Sequence, residues 1–395
     1  MDQTNETRLG SAPLGKLLFQ LGLPGVAAQV INVLYNIVDR IYIGNIPGIG
    51  DMALTGVGVT LPVIMVIAAF SAFVGMGGAP LASIRLGARD HEGAERILGS
   101  CIVSLLSLSV ILMAVFFAFQ RPLLFAFGAS ENVIGYAQDY LTIYLFGTLF
   151  VQLALGLNTF ISAQGKAKTA MLSVLIGAVL NIVLDPLFIF VFHMGVRGAA
   201  LATILSQAVS AAWVISFLLG KRTVIPVRKK YLRFDWRIIG QVVGLGISPF
   251  IMQATESLVT ITLNSGLQAY GGDLYVGSMT ILTSVLQLIV MPINGFTQGV
   301  QPIMSYCYGA GDHARVRQTY HRLLTVTLSF SAVACLLAIL LVPLALVLPR
   351  FFGVTGIYFS EPIADFVASC TTLVIFLTRY RKLLPLPKKA LEEAN

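Results

Sequence analysis

One apolar stretch near the start of the chain carries polar side chains at helical spacing. In LPGVAAQVINVLYNIVDRIYIG the polar residues follow one another in steps of three, four and three: Gln29, Asn32, Asn36 and Asp39. A helix places such residues on one face. That face could offer a carboxylate and several amides to a proton, a cation or a hydrogen-bonding ligand. Asp39 could instead pair with Arg40 at the end of the helix.

A second apolar stretch, NIVLDPLFIF, combines an amide with a carboxylate. Asn181 and Asp185 are four residues apart, so they stack on one helix face, and Pro186 loosens the backbone beside them by removing a hydrogen-bond donor. In a low-dielectric cavity a carboxylate favours its protonated form, whereas a bound cation favours the ionised form. This competition can couple substrate release to an ion gradient. Asp39 and Asp185 suit that role, although Asp185 could also be a satisfied structural carboxylate.

Other polar residues within apolar stretches are weaker candidates. Glu256 and Thr260 are four apart in IMQATESLVTITLN and indicate a second acidic site in the later part of the chain. Tyr140, Asn158 and Thr203 are candidates for lining a polar cavity. Each of these three could equally be an ordinary hydrogen-bonding residue between helices.

The elements that must position these residues are membrane-spanning helices. Hydrophobic residues make up 56% of the 395 residues and charged residues 11%, against roughly a quarter charged in soluble domains. Apolar stretches of about 20 residues cross a bilayer as helices. We expect ten of them, near residues 17–43, 52–84, 97–118, 133–163, 169–192, 198–220, 238–268, 274–308, 323–348 and 355–378.

Positive charge is distributed unevenly between the spans. If the N-terminus is cytoplasmic, 22 of the 26 Lys and Arg residues fall on the inner side, which agrees with the positive-inside rule. We therefore expect a multi-pass protein of the inner (plasma) membrane with both termini in the cytoplasm. Its basic segments would meet anionic lipid, not nucleic acid.

The sequence lacks the residue patterns of common enzymes and metal sites. Its four cysteines stand singly, without CxxC or Cys/His spacing, and there is no GxxxxGK[ST], HExxH or GxSxG motif. We expect no catalytic residue, no metal site and no cofactor other than a coupling ion. An intramembrane enzyme, which would need a convergent nucleophile and base or a metal cluster, is disfavoured because the four histidines are scattered and mostly in loops.

An internal repeat relates the two halves of the chain. GGAPLASIRLGARDH from Gly77 and GVQPIMSYCYGAGDH from Gly299 share seven residues in register at an offset of 222. Parallel repeats of this kind are a known transporter architecture. We expect an all-α polytopic membrane protein of two pseudo-repeated lobes: residues 1–220, a basic cytoplasmic linker at 221–237, a shortened second lobe at 238–384 and a tail at 385–395.

The last sequence match between the two halves has a shorter offset than the others. GVRGAALATI from Gly195 resembles GVTGIYFSEP from Gly353 at an offset of 158, which is shorter than 222 by 64. The second lobe therefore lacks a segment of that length, with the junction near positions 332–341. This shortening predicts ten spans where a full duplication would give twelve.

The lobes and their motifs resemble the multidrug and toxic compound extrusion (MATE) family, in its MepA-like bacterial branch. The likeness rests on LYNIVDRIYIG, ISAQGKAK, NIVLDPLFIF and GFTQGVQPIMSYCYGAGD. It implies a monomeric inner-membrane antiporter that exports bulky, often cationic drugs in exchange for H⁺ or Na⁺. By this resemblance Asp39, Asn181 and Asp185 form the ion-coupling site with Asn158, Tyr140 and Thr203 around it, and Glu256 matches an acidic residue that some members use. We expect the substrate cavity to be lined by Asn36, Tyr140, Asn158, Thr203 and Glu256.

Two alternatives to drug antiport stay open at this point. Related flippases for lipid-linked sugars share the two-lobe plan, but they would favour a cationic cavity, whereas the cavity candidates here are acidic. A non-transporting remnant is the other alternative, because alternating access requires two comparable lobes and the second lobe would hold only about four helices.

Overall fold

The computed structural model describes residues 9–271 and 273–330, and within these ranges the chain is helical with no strand. Its long helices are α1 (Leu14–Gly44), α2 (Gly50–Gly87), α3 (His91–Ala126), α4 (Ile134–Phe146), α5 (Thr148–Ala163), α6 (Ala167–Pro186), α7 (Val196–Leu219), α8 (Trp236–Gly271), α9 (Asp273–Gly309) and α10 (313–330). A single wider turn, Leu187–Val191, extends α6, and a short helical turn, Lys229–Tyr231, precedes α8.

Membrane-spanning lengths agree with the sequence analysis for the first seven predicted spans, and α9 lies where the eighth is predicted. Six helices are long and apolar enough to cross a membrane, and α4 with α5 forms a seventh candidate. The all-helical, multi-pass class is thus confirmed. The predicted ninth span is described only as far as residue 330, and the predicted span at 355–378 lies outside the described residues, as does the predicted junction at 332–341.

The fourth span differs from the single helix expected at 133–163. It consists of two helices that meet at Gly147 with a bend of 58°. Gly147 packs directly against the side chain of Ile204 on α7, where a β-carbon would collide. The absence of a side chain therefore lets the broken span stay close to α7, and the sequence alone did not distinguish this glycine from others in helix contacts.

Close backbone approach at glycines joins the two halves of the chain. In lipid, apolar burial between helices gives little driving force, so small residues that let backbones approach are important. Gly25 of α1 lies against Gly295 of α9, and Gly77 of α2 lies against Val242 of α8. A β-carbon at either glycine would meet a backbone carbonyl, so these crossings depend on the missing side chains.

The contacts at one end of α2 and α9 are reciprocal copies of each other. Gly87 packs on the carbonyl of Tyr306, and Gly309 packs on the carbonyl of Ile84. Residues 84 and 306, like 87 and 309, are related by the offset of 222 found in the sequence. The repeat is therefore visible as an approximate two-fold exchange of contacts between α2 and α9.

The turns that follow these helices repeat as well. Arg89 and Gly311, which the same offset relates, both have positive φ, 61° and 76°. Positive φ is uncommon for a residue other than glycine. Arg89 nevertheless adopts the same turn conformation as Gly311. Asp90 and Asp312 then cap the next helices through their Oδ1 atoms, which accept from Gly93 N at 2.8 Å and from Arg315 N at 2.9 Å.

The basic linker after α7 is docked on the first lobe. Gln164, 1% exposed at the end of α5, accepts three hydrogen bonds from it: from Thr223 Oγ1 at 2.9 Å, Val224 N at 2.7 Å and Ile225 N at 3.3 Å. Ile225 is fully buried as a result. The side chain of Gln164 thus supplies the acceptor that two backbone N–H groups of the linker need on burial.

An ion pair and an aromatic ring hold the rest of the linker. Arg228 Nε lies 2.9 Å from Glu95 Oε2, and the Glu95 side chain is 8% exposed. Tyr231 is buried against Gly99 of α3, with the guanidinium of Arg96 5.6 Å from its ring centroid. The linker therefore follows the surface formed by α3, α5 and the end of α7.

Candidate functional site

The carboxylate of Asp185 is fully buried near the end of α6. Asn181, one turn earlier and 2% exposed, donates from Nδ2 to Asp185 Oδ1 at 3.2 Å. The next residue, Pro186, lacks an N–H, and the backbone continues in the wider turn Leu187–Val191. Turns of this kind frequently occur at functional sites.

Asp39 of α1 meets Asp185 across the boundary between α1 and α6. The two carboxyl groups are close enough to influence each other electrostatically. An ionised carboxylate can only accept hydrogen bonds, so two carboxyl groups bond to each other only when one carries a proton. The pair can therefore share one proton, or it can bind one cation in its place.

Tyrosines and a threonine surround the acidic pair. Tyr140 and Tyr144 of α4 are 4% and 5% exposed, and their rings stack with centroids 6.2 Å apart. Tyr140 lies beside Thr203 of α7. Thr203 Oγ1 in turn donates to Ala199 O at 3.0 Å and accepts from Asn181 Nδ2 at 3.5 Å. Residues from α1, α4, α6 and α7 thus converge on one point.

Three buried oxygens in this cluster have no hydrogen-bond partner among the described residues: Asp39 Oδ1, Asn181 Oδ1 and Asp185 Oδ2. Buried polar atoms in folded proteins nearly always have a partner. An all-oxygen set with two carboxyls and an amide is suited to a proton or to a small hard cation such as Na⁺. Over the described residues no cluster of His, Cys, Asp and Glu fits a metal ion in the usual sense.

A cavity of ≈ 210 Å³, lined by apolar side chains and by several amide and hydroxyl groups, adjoins this acidic cluster. Helices α1, α2, α5, α6, α7 and α9 line it, and Asn181 and Thr203 belong both to the lining and to the acidic cluster. The other side chains that line it with amide groups are Gln29, Asn32, Asn158, Gln207, Gln298 and Gln301. The cavity therefore lies between the first lobe and α9, at the meeting of the two halves.

The charge of the lining differs from the expectation of an acidic cavity. No Asp, Glu, Lys or Arg of the described chain lines it. Asp39 and Asp185 are absent from the lining, whereas Asn181, which donates a hydrogen bond to Asp185, belongs to it. The two carboxylates are therefore next to the cavity but not part of its lining.

The remaining candidate residues, Asn158, Asn36 and Glu256, lie in three different environments. Asn158 lines the cavity, and its Oδ1 accepts from Ser173 Oγ at 3.0 Å. Asn36 is exposed on α1, where its Nδ2 donates to Asn32 O at 2.7 Å. Glu256 is exposed on α8 and is neither in the acidic cluster nor in the cavity lining.

The sequence analysis did not single out several residues that this site contains. Tyr144 of α4, Ser206 and Gln207 of α7, and Gln298 and Gln301 of α9 are the main examples. Gln298 and Gln301 are amides three apart in the repeat motif TQGVQP, so their spacing was a usable signal. Tyr144 carries no such signal, because an aromatic residue in an apolar helix is ordinary.

Comparison with known proteins assigns the family. The family model MatE matches residues 24–187 and 249–378. The multidrug export protein MepA of Staphylococcus haemolyticus (strain JCSC1435) is 27% identical over 325 residues, which cover 82% of this chain and 71% of that protein. MepA of Staphylococcus aureus (strain NCTC 8325 / PS 47) is 26% identical over 299 residues, which cover 76% of this chain and 66% of that protein.

Solved structures agree with these matches. A crystal structure of MATE in complex with MaL6 superposes with a TM-score of 0.78 at 26% identity, over 85% of this chain and 74% of that chain. A structure described only as protein A gives a TM-score of 0.79 at 35% identity, over 90% and 79%. The chain belongs to the MatE family of multidrug efflux transporters, in its MepA-like branch, and is a membrane transporter and not an enzyme.

Proposed function

We propose that the chain exports small-molecule drugs, among them bulky organic cations, by antiport against H⁺ or Na⁺. The observation that carries the proposal is the proximity of the carboxyl groups of Asp39 and the fully buried Asp185, beside a cavity lined by several amide groups. The names of the relatives as multidrug export proteins support the substrate class. No cofactor beyond the coupling ion is part of this mechanism.

Electrostatic repulsion explains why the acidic pair would exchange an ion. Two ionised carboxylates in contact and out of water repel each other, and neutralising one of them relieves most of the cost. One H⁺ or one Na⁺ supplies that charge. An arriving organic cation would compete with the ion for the same negative charge, so binding of one favours release of the other.

Asn181 links the acidic pair to the cavity. It donates to Asp185 and also lines the cavity, so a ligand that takes its amide group removes a hydrogen bond from Asp185. Losing a hydrogen bond to the ionised form favours protonation, which works against the exchange, whereas the positive charge of an organic cation works in its favour. The amide thus gives a direct route by which occupancy of the cavity changes the affinity of the carboxylates for a proton.

The substitution Asp185→Asn tests the coupling role. We expect the purified variant in liposomes to lose at least about tenfold of the ethidium efflux driven by an imposed pH or sodium gradient, because one neutral amide cannot exchange an ion. Asp139→Asn is the matched control, since Asp139 forms an exposed ion pair with Arg197 at 2.8 Å. Unchanged gradient-driven efflux by Asp185→Asn at several pH values would contradict the proposal.

A second comparison addresses the shortened second lobe. The chain is assayed beside a lengthened version, into which the segment that it lacks is inserted near positions 332–341 from a longer relative. Efflux by the chain as it stands would show that the first-lobe carboxylates suffice. Efflux by the lengthened version alone would favour the remnant alternative.

The charges of the cavity also bear on the flippase alternative. A lipid-linked sugar carries phosphate, which cationic side chains recognise, and no Lys or Arg of the described chain lines the cavity. Drug antiport is therefore the better-supported function. We place the protein as a monomer in the inner (plasma) membrane, with both termini in the cytoplasm.

A further inference from the structure

The end of the linker exposes large apolar side chains beside basic ones. Trp236 is 78% exposed, the largest value for a big apolar side chain in the described chain, and Phe234 and Leu232 are 42% and 40% exposed. The rings of Phe234 and Trp236 are in edge contact with centroids 4.7 Å apart. Exposed aromatic residues at the ends of spanning helices are typical of the boundary between hydrocarbon and headgroups.

Trp236 also stands at the end of an exposed stripe on α8. Gly240, Gly244, Ile247 and Ile251 follow it at helical spacing and are all exposed. The opposite side of α8 packs on α2 through Val242 and Gly246. The exposed stripe is apolar and continues along the helix from Trp236, which places Trp236 at the level where the apolar stripe ends.

Basic side chains surround this aromatic pair. Lys229, Lys230, Arg233 and Arg237 are exposed within the same short segment, 229–237. Asp235 is the one carboxylate of this segment. Its Oδ1 accepts hydrogen bonds from the backbone N–H groups of Arg237 at 3.0 Å and Ile238 at 3.5 Å, at the start of α8. Glu92 and Glu95 on α3 are paired with Arg96 and Arg228, so positive charge dominates the surface.

Contacts with α3 fix the backbone of this segment. Ser100 Oγ donates to Arg233 O at 3.2 Å, and Tyr231 is buried against Gly99. The apolar and basic side chains are thus presented from a fixed base formed by α3. A preformed surface binds with a smaller loss of conformational freedom than a disordered tail.

We propose that residues 229–237 form a binding site for anionic phospholipid headgroups, with Phe234 and Trp236 inserted at the membrane boundary and Lys229, Lys230, Arg233 and Arg237 facing the phosphates. The charge is complementary to the cytoplasmic leaflet, whose anionic lipids attract basic residues next to spanning helices. By the positive-inside rule this face is the cytoplasmic one. The site is separate from the acidic cluster and the cavity, so it does not depend on the proposed transport function.

The indole fluorescence of Trp236 can be used to test this proposal. The chain has two tryptophans, Trp213 on α7 and Trp236, so Trp213→Phe leaves Trp236 as the only source of indole fluorescence. The full chain with this change is reconstituted into vesicles of phosphatidylcholine and phosphatidylglycerol at a ratio of about three to one. Bromine atoms on the acyl chains of either lipid quench nearby indoles, and the brominated lipid is present at the same mole fraction in both samples.

We expect brominated phosphatidylglycerol to quench Trp236 about twofold more strongly than brominated phosphatidylcholine. The double substitution Lys229→Gln with Arg233→Gln should abolish this preference. Lys16→Gln with Lys168→Gln, which removes two exposed charges elsewhere, should leave it unchanged. In the converse variant, Trp236→Phe, quenching of Trp213 should not distinguish the two lipids.

Three outcomes would overturn the proposal. Equal quenching of Trp236 by the two lipids would mean that the segment contacts the membrane without selecting anionic headgroups. Absence of quenching would mean that Trp236 is exposed to water or covered by protein. Loss of the preference in the Lys16 and Lys168 control would mean that net charge of the protein, and not this site, attracts the lipid.

Discussion

Two carboxyl groups in contact inside a membrane protein repel each other and raise its free energy unless one of them is neutral. Asp39 and Asp185 lie close to each other, and Asn181 donates a hydrogen bond to Asp185. Placing a charge in the bilayer costs on the order of a few kcal/mol. The pair is therefore the place where a bound proton or cation changes the energy of the protein most.

A buried ion pair on the linker gives a prediction at the same scale. Arg228→Ala leaves the buried Glu95 carboxylate without its partner, and we expect it to lower stability by about 1–3 kcal/mol, less than for a fully buried pair because Arg228 is 53% exposed. Thermal unfolding in detergent measures the loss. Adding Glu95→Gln to Arg228→Ala should restore most of the stability.

The control for this prediction is an exposed ion pair. Arg121 and Glu131 are 3.9 Å apart and 63% and 77% exposed, so Arg121→Ala should cost less than about 0.5 kcal/mol. Equal losses in Arg121→Ala and Arg228→Ala would mean that burial of Glu95 does not set the cost.

Individual residues of the site were predictable to different degrees. The spacing of Asn181 and Asp185 indicates a shared helix face, because i and i+4 are neighbours on any helix. The contact between Asp39 and Asp185 depends instead on how α1 packs on α6, and no local pattern contains that information. The absence of both carboxylates from the cavity lining is likewise a property of tertiary packing.

Among the helices, glycine crossings determine how closely the two halves approach. Gly25 lies against the backbone of Gly295 where α1 crosses α9. A side chain there must push two backbones apart, because a carbonyl oxygen cannot rotate away as a side chain can. Crossings of this type connect the lobes on either side of the cavity.

The substitution Gly25→Ala tests this crossing. We expect it to destabilise the protein by about 1–3 kcal/mol, the usual cost of inserting atoms into a well-packed contact, and thermal unfolding in detergent should show the decrease. Gly58→Ala in α2 is the control, because its β-carbon would meet nothing within 4 Å and alanine favours a helix more than glycine does. If Gly58→Ala destabilised as much as Gly25→Ala, the crossing would not explain the effect.

At this scale the repeat was the most informative feature of the sequence. The offset of 222 relates Arg89 to Gly311 and Asp90 to Asp312, and these pairs share positive φ and helix capping in the structure. The bend at Gly147 was not predicted, because the sequence around it is as apolar as a straight span. With 37 glycines in the chain, one glycine does not by itself indicate a break.

For the molecule as a whole, the distribution of Lys and Arg predicts which face is cytoplasmic. The linker after α7, the turn after α2 and the turn after α5 carry their basic residues on the same side as one another. The segment between α3 and α4 lies at the other ends of these helices. Charge and helix order together therefore predict an inner and an outer face.

Cysteine labelling tests this orientation. In a chain whose four cysteines are replaced by serine, Asn132→Cys should react with a membrane-impermeant maleimide in intact cells. Lys221→Cys should react only after the cells are permeabilised. Both positions are exposed, so reactivity reports the side of the membrane. The reverse pattern would place the basic face outside and contradict the positive-inside assignment.

The docked linker has a consequence for where one lobe ends and the other begins. Because Gln164, Glu95, Gly99 and Ser100 hold the chain from Thr223 to Arg233, we expect this segment to move together with the first lobe. Any rotation of α8 relative to the first lobe then has its pivot in the short stretch between Arg233 and Trp236. A chimera that exchanges lobes with a relative should therefore be joined at the pivot, so that the linker travels with the lobe to which it is bonded.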